Sequence, residues 1–300
     1  MHDDRPVLVV GGTGALGRQV VSALLQREKR VRMLVRPTSS TAGFDTDRVE
    51  FAQGDMMDPA SLVRAMDGAD AVITSAAGYT RHTKSDSADI DTVGNRNLVD
   101  AAAETGIRRF VLTSILTCDQ TPQVPHFWHK KLVEDRLAEQ GVPYVALRPG
   151  AFLETVAQFG DPFTKGRIAY AGSRTTPMTF VHTADLASCL ARAVDVDGIE
   201  NTHIDIGWDR PVSVADIARI AGDLLGKQLR TTVIPGGPLV AVASLIGWAN
   251  PLISDMAKMA RWFQSGNYVA DTSRQRKAFG PPPTAEEAIE TYLRLLGHLN

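Results

Sequence analysis

The sequence predicts an α/β fold: a doubly wound parallel sheet with a smaller, mostly helical C-terminal lobe. Three observations carry this. Short β-branched runs alternate with amphipathic stretches from residue 7 to residue 150, which is the pattern of successive βαβ units. The first run, "VLVV" (7–10), breaks into "GGTGALG" (11–17) and resumes at helical spacing. After Gly150 the alternation gives way to loops and helices punctuated by proline and glycine.

The elements follow in order. "VLVV" is a strand, and a helix begins near Ala15. "VRMLV" (31–35) and "VEFAQ" (49–53) are strands, and "PASLVRAM" (59–66) is a helix with proline at its first position. "DAVITSA" (70–76) is a strand, followed by a long helix ending "LVDAAAETG" (98–106) and the strand "RFVLTS" (109–114). "KKLVEDRLAEQG" (130–141) is a helix stopped by glycine, and "PYVALRPG" (143–150) is a strand. Beyond it, "GDPFTKGRIAYAGSRTTP" (160–177) reads as loop-rich. "TFVHTADLASCLARAV" (179–194) reads as a strand then a helix, and "NTHIDIG" (201–207) as a strand. Helices dominate from 208 onward. We therefore expect a first domain over 1–150, with parts of 179–207 returning to its sheet, and a second lobe over 151–300.

Composition bounds the function. With 44% hydrophobic and 22% charged residues among 300, the chain should fold. A formal net charge of −2 offers no basic field for a phosphate backbone, so no nucleic-acid partner is expected. Cys118 and Cys189 are far apart and form no CxxC pattern, which argues against a disulfide scaffold and for a reducing, cytoplasmic location. No HExxH or metal-spaced acid cluster occurs, so no metal is expected. No Gly-x-Ser-x-Gly elbow occurs, which disfavours a hydrolase. "MHDDRPVLVV" does not read as a signal peptide. The apolar stretch 239–249 lies between Pro238 and Pro251 and is too short to span a bilayer. It reads as a buried or pocket-lining helix, with interfacial membrane contact as the alternative.

The glycine stretch has a specific physical use. Gly11 allows a tight turn, Gly14 lets a diphosphate approach the backbone, and Gly17 lets the helix pack close to the strand. The backbone around Thr13, Ala15 and Leu16 then offers free N–H groups and the positive end of a helix dipole to phosphate. The alternative is a glycine-rich turn with no ligand. Arg36 ends the second strand where an NAD-preferring site would place an acid, and no acid follows until Asp45. A guanidinium matches a 2′-phosphate, so NADP(H) is expected over NAD(H); a solvated surface arginine is the alternative. In "GDMMD" (54–58), Asp55 and its neighbour Met56 follow the third strand. Asp55 could accept from an adenine amino group or cap the next helix, for which Asp58 is better placed. Ala76 and Ala77 in "SAAG" (75–78) would let the chain pass close to a cofactor or pack on a helix.

Together these features resemble the short-chain dehydrogenase/reductase superfamily, and within it the atypical, NmrA-like NAD(P)-binding group. The matching blocks are "GGTGALG", the strand-end Arg36, "GDMMD", "RFVLTS", "KLVEDRLAEQGVPYVALRPGAF", "TFVHTADLA" and "ADTSRQRKAFGPPPTAEEAI", from residue 7 to about 289. The resemblance implies a Rossmann sheet, a C-terminal substrate lobe and a cleft between them, with Pro149 and Gly150 of "LRPGAF" at the cofactor. It also implies a Ser, Tyr and Lys set with Tyr-x-x-x-Lys spacing. Ser114 matches the serine and Lys131 the lysine, which would also hold the nicotinamide ribose. Four residues before Lys131 stands Phe127, which cannot transfer a proton. The register through Lys130 gives His126 instead.

His126 and His129, in "HFWHKK" (126–131), are thus candidates for the proton donor, the alternative being a surface loop with a helix cap. His82 lies on the loop where the cleft should open, and the resemblance makes His182 structural. Phe152, Phe159, Phe163, Trp248, Trp262 and Phe263 gather in the second lobe; those not in its core would favour an apolar or aromatic substrate. The resulting expectation is an NADPH-dependent reductase of a carbonyl, quinone or conjugated double bond. A non-catalytic NADP(H)-binding sensor with a protein partner is the alternative from another class, and an isomerase or cyclase of the same fold is a third.

Overall fold

The structure is a computed structural model and describes residues 5–78, 87–157, 160–235 and 251–299. His82, Phe159, Trp248 and the apolar stretch 239–249 lie outside the described residues. The chain divides into two units. One comprises Met1–Pro122, His126–Arg148 and Ala184–Ile204; the other comprises Gln123–Pro125, Pro149–Thr183 and Asp205–Asn300.

The first unit is built on β1 (Val7–Val10), β2 (Val31–Val35), β3 (Val49–Gln53), β4 (Ala71–Thr74), β5 (Arg109–Thr113) and β6 (Tyr144–Pro149). With β10 (Thr202–Ile206) they form a seven-stranded sheet in the order β10-β6-β5-β4-β1-β2-β3. The pairs β2–β3, β1–β2, β1–β4, β4–β5 and β5–β6 are all parallel. Helices cover both faces, so the central strands β1 and β4 read as unbroken, wholly buried runs, while the edge strands β3 and β10 carry polar, less buried positions. Leu8, Val10, Leu34, Val72, Phe110 and Leu112 enter one core cluster with Leu62, Leu98 and Leu137 from the helices. Val7 and Val9, equally buried, point to the opposite layer because side chains alternate along a strand. There α1 (Ala15–Gln26) buries Gly17, Val20, Val21 and Leu24, an i, i+3, i+4, i+7 stripe. Burying each of its larger side chains contributes about 1.5–3 kcal/mol.

The connecting helices follow the same logic. α2 (Pro59–Met66) starts with proline, and Asp58 caps it by accepting from the Ser61 N–H at 3.4 Å. A π-helical segment, Ser87–Gly94, leads into α3 (Asn95–Thr105), which Gly106 ends at φ 65°. α4 (Pro125–Glu139) lies between β5 and β6. It begins earlier than the sequence reading placed it: Pro125, preset for a first helical turn, draws "HFWH" into the helix, so these residues form neither a loop nor a cap.

In the second unit, β7 (Ala151–Phe152) pairs with β9 (Phe180–Val181), apart from the main sheet. β8 (Arg167–Gly172) pairs in parallel with β11 (Arg230–Pro235). These two strands fall where loop and helix were expected. Their β-branched and small residues gain a ladder only from each other, and 57 or more residues of sequence separate them, so no local pattern reveals the pair. α5 (Thr183–Arg192) returns the chain to the first unit; in the second, α6 (Val214–Leu225) follows in the expected order, and further helices span Pro251–Gln264, Ser273–Phe279 and Ala285–Leu295. Two of them open with capping boxes, Ser213 with Asp216 and Thr284 with Glu287.

Candidate functional site

β1 lies between β2 and β4, so the strand order reverses there. In open α/β sheets, ligands bind outside the carboxyl ends of the strands at that reversal. Gly11 leaves β1 at φ 82°, and a Cβ on it would sit 2.9 Å from both the Ala76 nitrogen and the Ser75 hydroxyl after β4. A Cβ on Gly17 would sit 2.1 Å from the Gly11 carbonyl oxygen, so α1 packs against the loop only because that position is glycine. Gly14 differs. Its φ of −75° suits any residue, and a Cβ there would meet only the Gly11 oxygen, at 3.3 Å. The chain's own packing therefore gives little reason for a glycine at 14. Gly14 is also the N-cap of α1 and provides no capping side chain. The first N–H groups of α1, from Ala15 and Leu16 onward, are left to an incoming acceptor. Thr13 supplies a carbonyl to Arg18 at 3.3 Å rather than a cap.

The ends of β2 and β3 stand beside this loop in the sheet. The Arg36 backbone makes a turn with Ser39, and its guanidinium forms no hydrogen bond or ion pair with a described residue. Asp55 accepts from the Met57 N–H at 2.9 Å, so its carboxylate stabilises the turn that follows β3. Met56 turns inward, 7% exposed in the main core cluster, and its carbonyl accepts from Asn97. Its side chain serves packing, whatever its backbone meets.

Ala76 and Ala77, half-buried after β4, mark the other side of the reversal. The Ala76 carbonyl accepts from the Lys130 ammonium at 3.1 Å. That ammonium also lies 3.8 Å from Asp91 Oδ1, with both side chains almost wholly buried. The same Asp91 oxygen accepts from the Gly78 N–H at 3.0 Å, which ties the end of β4 to the segment before α3. Lys131, expected in this place, is one residue and about 100° further round the helix. Its ammonium pairs with Asp135 one turn on, at the half-exposed side of α4. The face of α4 toward the strand ends is set by Phe127, Lys130, Val133, Glu134 and Leu137, all buried. His126 precedes Lys130 by one turn on that face, and its ring meets Phe127 edge-on at 4.7 Å between centroids. His129 is half-buried on the adjoining face.

Ser114 was expected beside the lysine as a substrate-facing hydroxyl. It is 1% exposed and donates to Glu134 Oε1 at 2.6 Å. Glu134 is in turn held by both ends of the Arg148 fork, at 3.0 and 2.6 Å, and Arg148 reaches Asp119 at 2.8 Å. Burial works against the Arg148 charge, yet the hydrogen bond and charge of Glu134 outweigh it and raise its pKa further. Burial likewise opposes ionisation of Asp119, and donation from Arg148 overcomes it, so that carboxyl is held below its usual range. Cys118 Sγ lies 3.7 Å from the Ser114 hydroxyl. Burial, and then the Glu134 charge, push its thiol up to about 12. The hydroxyl of Ser114 is thus committed to a buried polar cluster that joins β5, α4 and β6. Glu134 and Arg148 escaped the sequence reading because no local motif marks them.

Pro149 and Gly150 belong to the second unit, with Pro149 also ending β6. A Cβ on Gly150 would lie 2.4 Å from the Thr179 carbonyl oxygen, so packing within that unit explains this glycine. Phe163 is wholly buried against Tyr292 and His298, while Phe152, Trp262 and Phe263 are half-buried. His182 is 3% exposed, with Nε2 3.4 Å from Glu154, inside the second unit. Among the described residues no helix is long and apolar enough to cross a membrane.

Comparison with known proteins agrees with this architecture. The chain is 28% identical to the photosystem II assembly factor Ycf39 of Synechocystis over 96% of its length and 89% of that protein's. It is 23% identical to the NAD(P)H azoreductase of Xenophilus azovorans, covering 76% of this chain and 77% of that one. Among solved structures, the NADPH-dependent quinone oxidoreductase QOR2 of Escherichia coli superimposes with a TM-score of 0.75 at 21% identity, over 96% of this chain and 99% of that one. The triphenylmethane reductase of Citrobacter sp. gives 0.78 at 19% identity with the same coverage. The model of the NmrA-like family matches residues 3–289, and the chain belongs to that family.

Proposed function

We propose that the chain is an NADPH-dependent oxidoreductase that reduces a carbonyl, quinone or conjugated double bond of a small apolar or aromatic substrate. One observation carries the reading: an uncapped helix N-terminus behind an open Gly14, at the reversal of strand order, with buried Lys130 reaching the neighbouring strand end. A bound nicotinamide dinucleotide would supply the hydride. The Gly11–Gly17 backbone and the α1 dipole would hold its diphosphate. Arg36 would pair with the 2′-phosphate, which makes NADP(H) the preferred form. Lys130 takes over the role that the sequence gave to Lys131, because it alone of the pair reaches the strand ends. Its ammonium, steadied by the Ala76 carbonyl and Asp91, keeps positive potential where negative charge would develop on a substrate oxygen. His126, one turn before it, supplies the proton, with His129 as the alternative. Ser114 takes no part, its hydroxyl being committed to Glu134. Two free buried thiols suit a reducing cytoplasm.

The names of the similar structures support this substrate class, since a quinone and a triphenylmethane dye are conjugated acceptors. The similarity to Ycf39 across 96% of the chain favours a second reading, a dinucleotide-binding protein that acts on a protein partner without turnover. Following NADPH absorbance with a panel of quinones and azo dyes separates the two. Steady oxidation that depends on the acceptor supports the reductase. Tight NADPH binding with no turnover on any acceptor supports the second reading.

A further inference from the structure

Thirteen residues, Arg36 to Arg48, join β2 to β3 without a strand or helix of their own. This segment carries Arg36, yet its internal hydrogen bonds are short-range turns, among them Ser39 N–H to the Arg36 carbonyl at 2.9 Å, Phe44 N–H to the Thr41 carbonyl at 3.3 Å and Arg48 N–H to the Asp45 carbonyl at 3.2 Å. The far end of the segment is tied to α1 by Arg48, whose Nη2 donates to the Leu25 carbonyl at 2.8 Å; residues 40–44 are held by a side chain from α1. Arg18, in the first turn of α1, donates from Nε to the Thr13 carbonyl at 3.3 Å, from Nη1 to the Ala42 carbonyl at 3.0 Å and from Nη2 to the Ser40 carbonyl at 3.4 Å. Its guanidinium carbon lies 4.5 Å from the centre of the Phe44 ring, which meets Phe51 of β3 edge-on. Gly43, at φ 83°, turns the chain so that both neighbouring groups reach Arg18. One planar fork therefore bridges the glycine loop to the segment and stacks on its aromatic residue. A lysine ammonium could not do both. The guanidinium of Arg36, by contrast, is spent on no described residue.

We infer that Arg18 is a positioning residue for cofactor selectivity: it clamps residues 36–44 against the glycine loop and so presents Arg36 to the 2′-phosphate. The inference rests on the dinucleotide reading above. Arg18 acts before the ligand arrives, by removing arrangements of the segment that point Arg36 elsewhere. If losing the clamp leaves the competent arrangement populated about one tenth of the time, apparent NADPH affinity falls about tenfold. NADH, which lacks the 2′-phosphate, loses much less.

The test is a double-mutant cycle read by NADPH and NADH titrations on the full chain. Arg18→Met should weaken NADPH about tenfold and NADH less than threefold. Arg18→Lys, which keeps the charge and most of the stem, should not restore NADPH affinity, and it carries the test should the Met variant fail to fold. Combining Arg18→Met with Arg36→Met should weaken NADPH no more than Arg36→Met alone, because the clamp works only through Arg36. Equal losses for both cofactors, or additive losses in the double variant, would overturn the inference. A wild-type chain that prefers NADPH, with Arg18→Met keeping that preference, would overturn it while leaving the dinucleotide reading standing. A wild-type chain that binds neither cofactor would overturn both.

Discussion

The loop after β1 and the inner face of α4 meet at the same end of the sheet, but they are built by opposite means. The loop is almost all backbone. A Cβ on Gly11 or Gly17 would lie under 3 Å from other atoms of the chain, whereas one on Gly14 would meet only the Gly11 oxygen, at 3.3 Å. The α4 face is almost all side chain: Lys130 on Ala76 and Asp91, and Glu134 on Ser114 and Arg148. In the loop, an empty space is the functional feature. On α4, filled and neutralised charges are. The difference predicts that damage to Gly14 will abolish binding with little loss of stability, whereas damage to Glu134 will do the reverse.

The largest effect expected on that contrast is from Glu134→Ala. It strips the nearly buried Arg148 of its bidentate partner, and breaking such a pair from one side costs about 3–5 kcal/mol. Urea unfolding measures this; a loss below about 1 kcal/mol would show that the cluster is not what binds α4 to β5 and β6. Next comes His126→Ala, one turn from Lys130 and outside the buried cluster. It should lower turnover by about 10²–10⁴ with NADPH affinity unchanged, and full turnover in that variant would remove His126 from the mechanism. Arg36→Asp follows, with a loss of about 1–3 kcal/mol in NADPH binding and little in NADH binding. Equal affinities of the wild-type chain for both cofactors would remove its basis.

The smallest expected effect is chemical silence. Burial pushes Cys118 and Cys189 both up to about 12. A thiol whose pKa is raised in the fold stays protonated up to that value, so neither should form thiolate between pH 7 and 9, and neither should impose a pH dependence there. A disulfide reagent at pH 8 should find no fast thiol in the native chain and two after unfolding. Rapid reaction of the native chain that Cys118→Ala abolishes would show that the Glu134 cluster opens.

The same contrast explains what was legible in the sequence. Gly11 and Gly17 could be read in advance because each answers a local steric demand of a strand–turn–helix unit, and Gly14 because its spacing between them marks the ligand side of such a loop. The central strands of the main sheet, β1 and β4, buried on both faces, are legible as apolar runs. The lysine could not be chosen that way. Lys130 and Lys131 are neighbours in sequence, and only the packing of α4 decides which faces the sheet. The signal was present in the spacing of Phe127, Val133 and Leu137, which places residue 130 on their face, but a buried lysine among them contradicts the apolar pattern that usually defines such a face. The partners of Ser114 were hidden for a related reason. Its position after β5 is local information, whereas its partner Glu134 comes from the next helix and Arg148 from the next strand. β8 and β11 were missed because each is a strand only through the other.

If a dinucleotide diphosphate sits against Gly14, a side chain there takes its place. Titrating NADPH into the Gly14→Val variant, with its thermal unfolding recorded beside that of the wild-type chain, tests this most directly. The φ of −75° suits valine, and its Cβ, 3.3 Å from the Gly11 carbonyl oxygen, asks that oxygen to give by a few tenths of an ångström, so the variant should fold with a modestly lowered melting temperature while saturable NADPH binding disappears. A folded variant that binds NADPH as tightly as the wild-type chain would contradict the account.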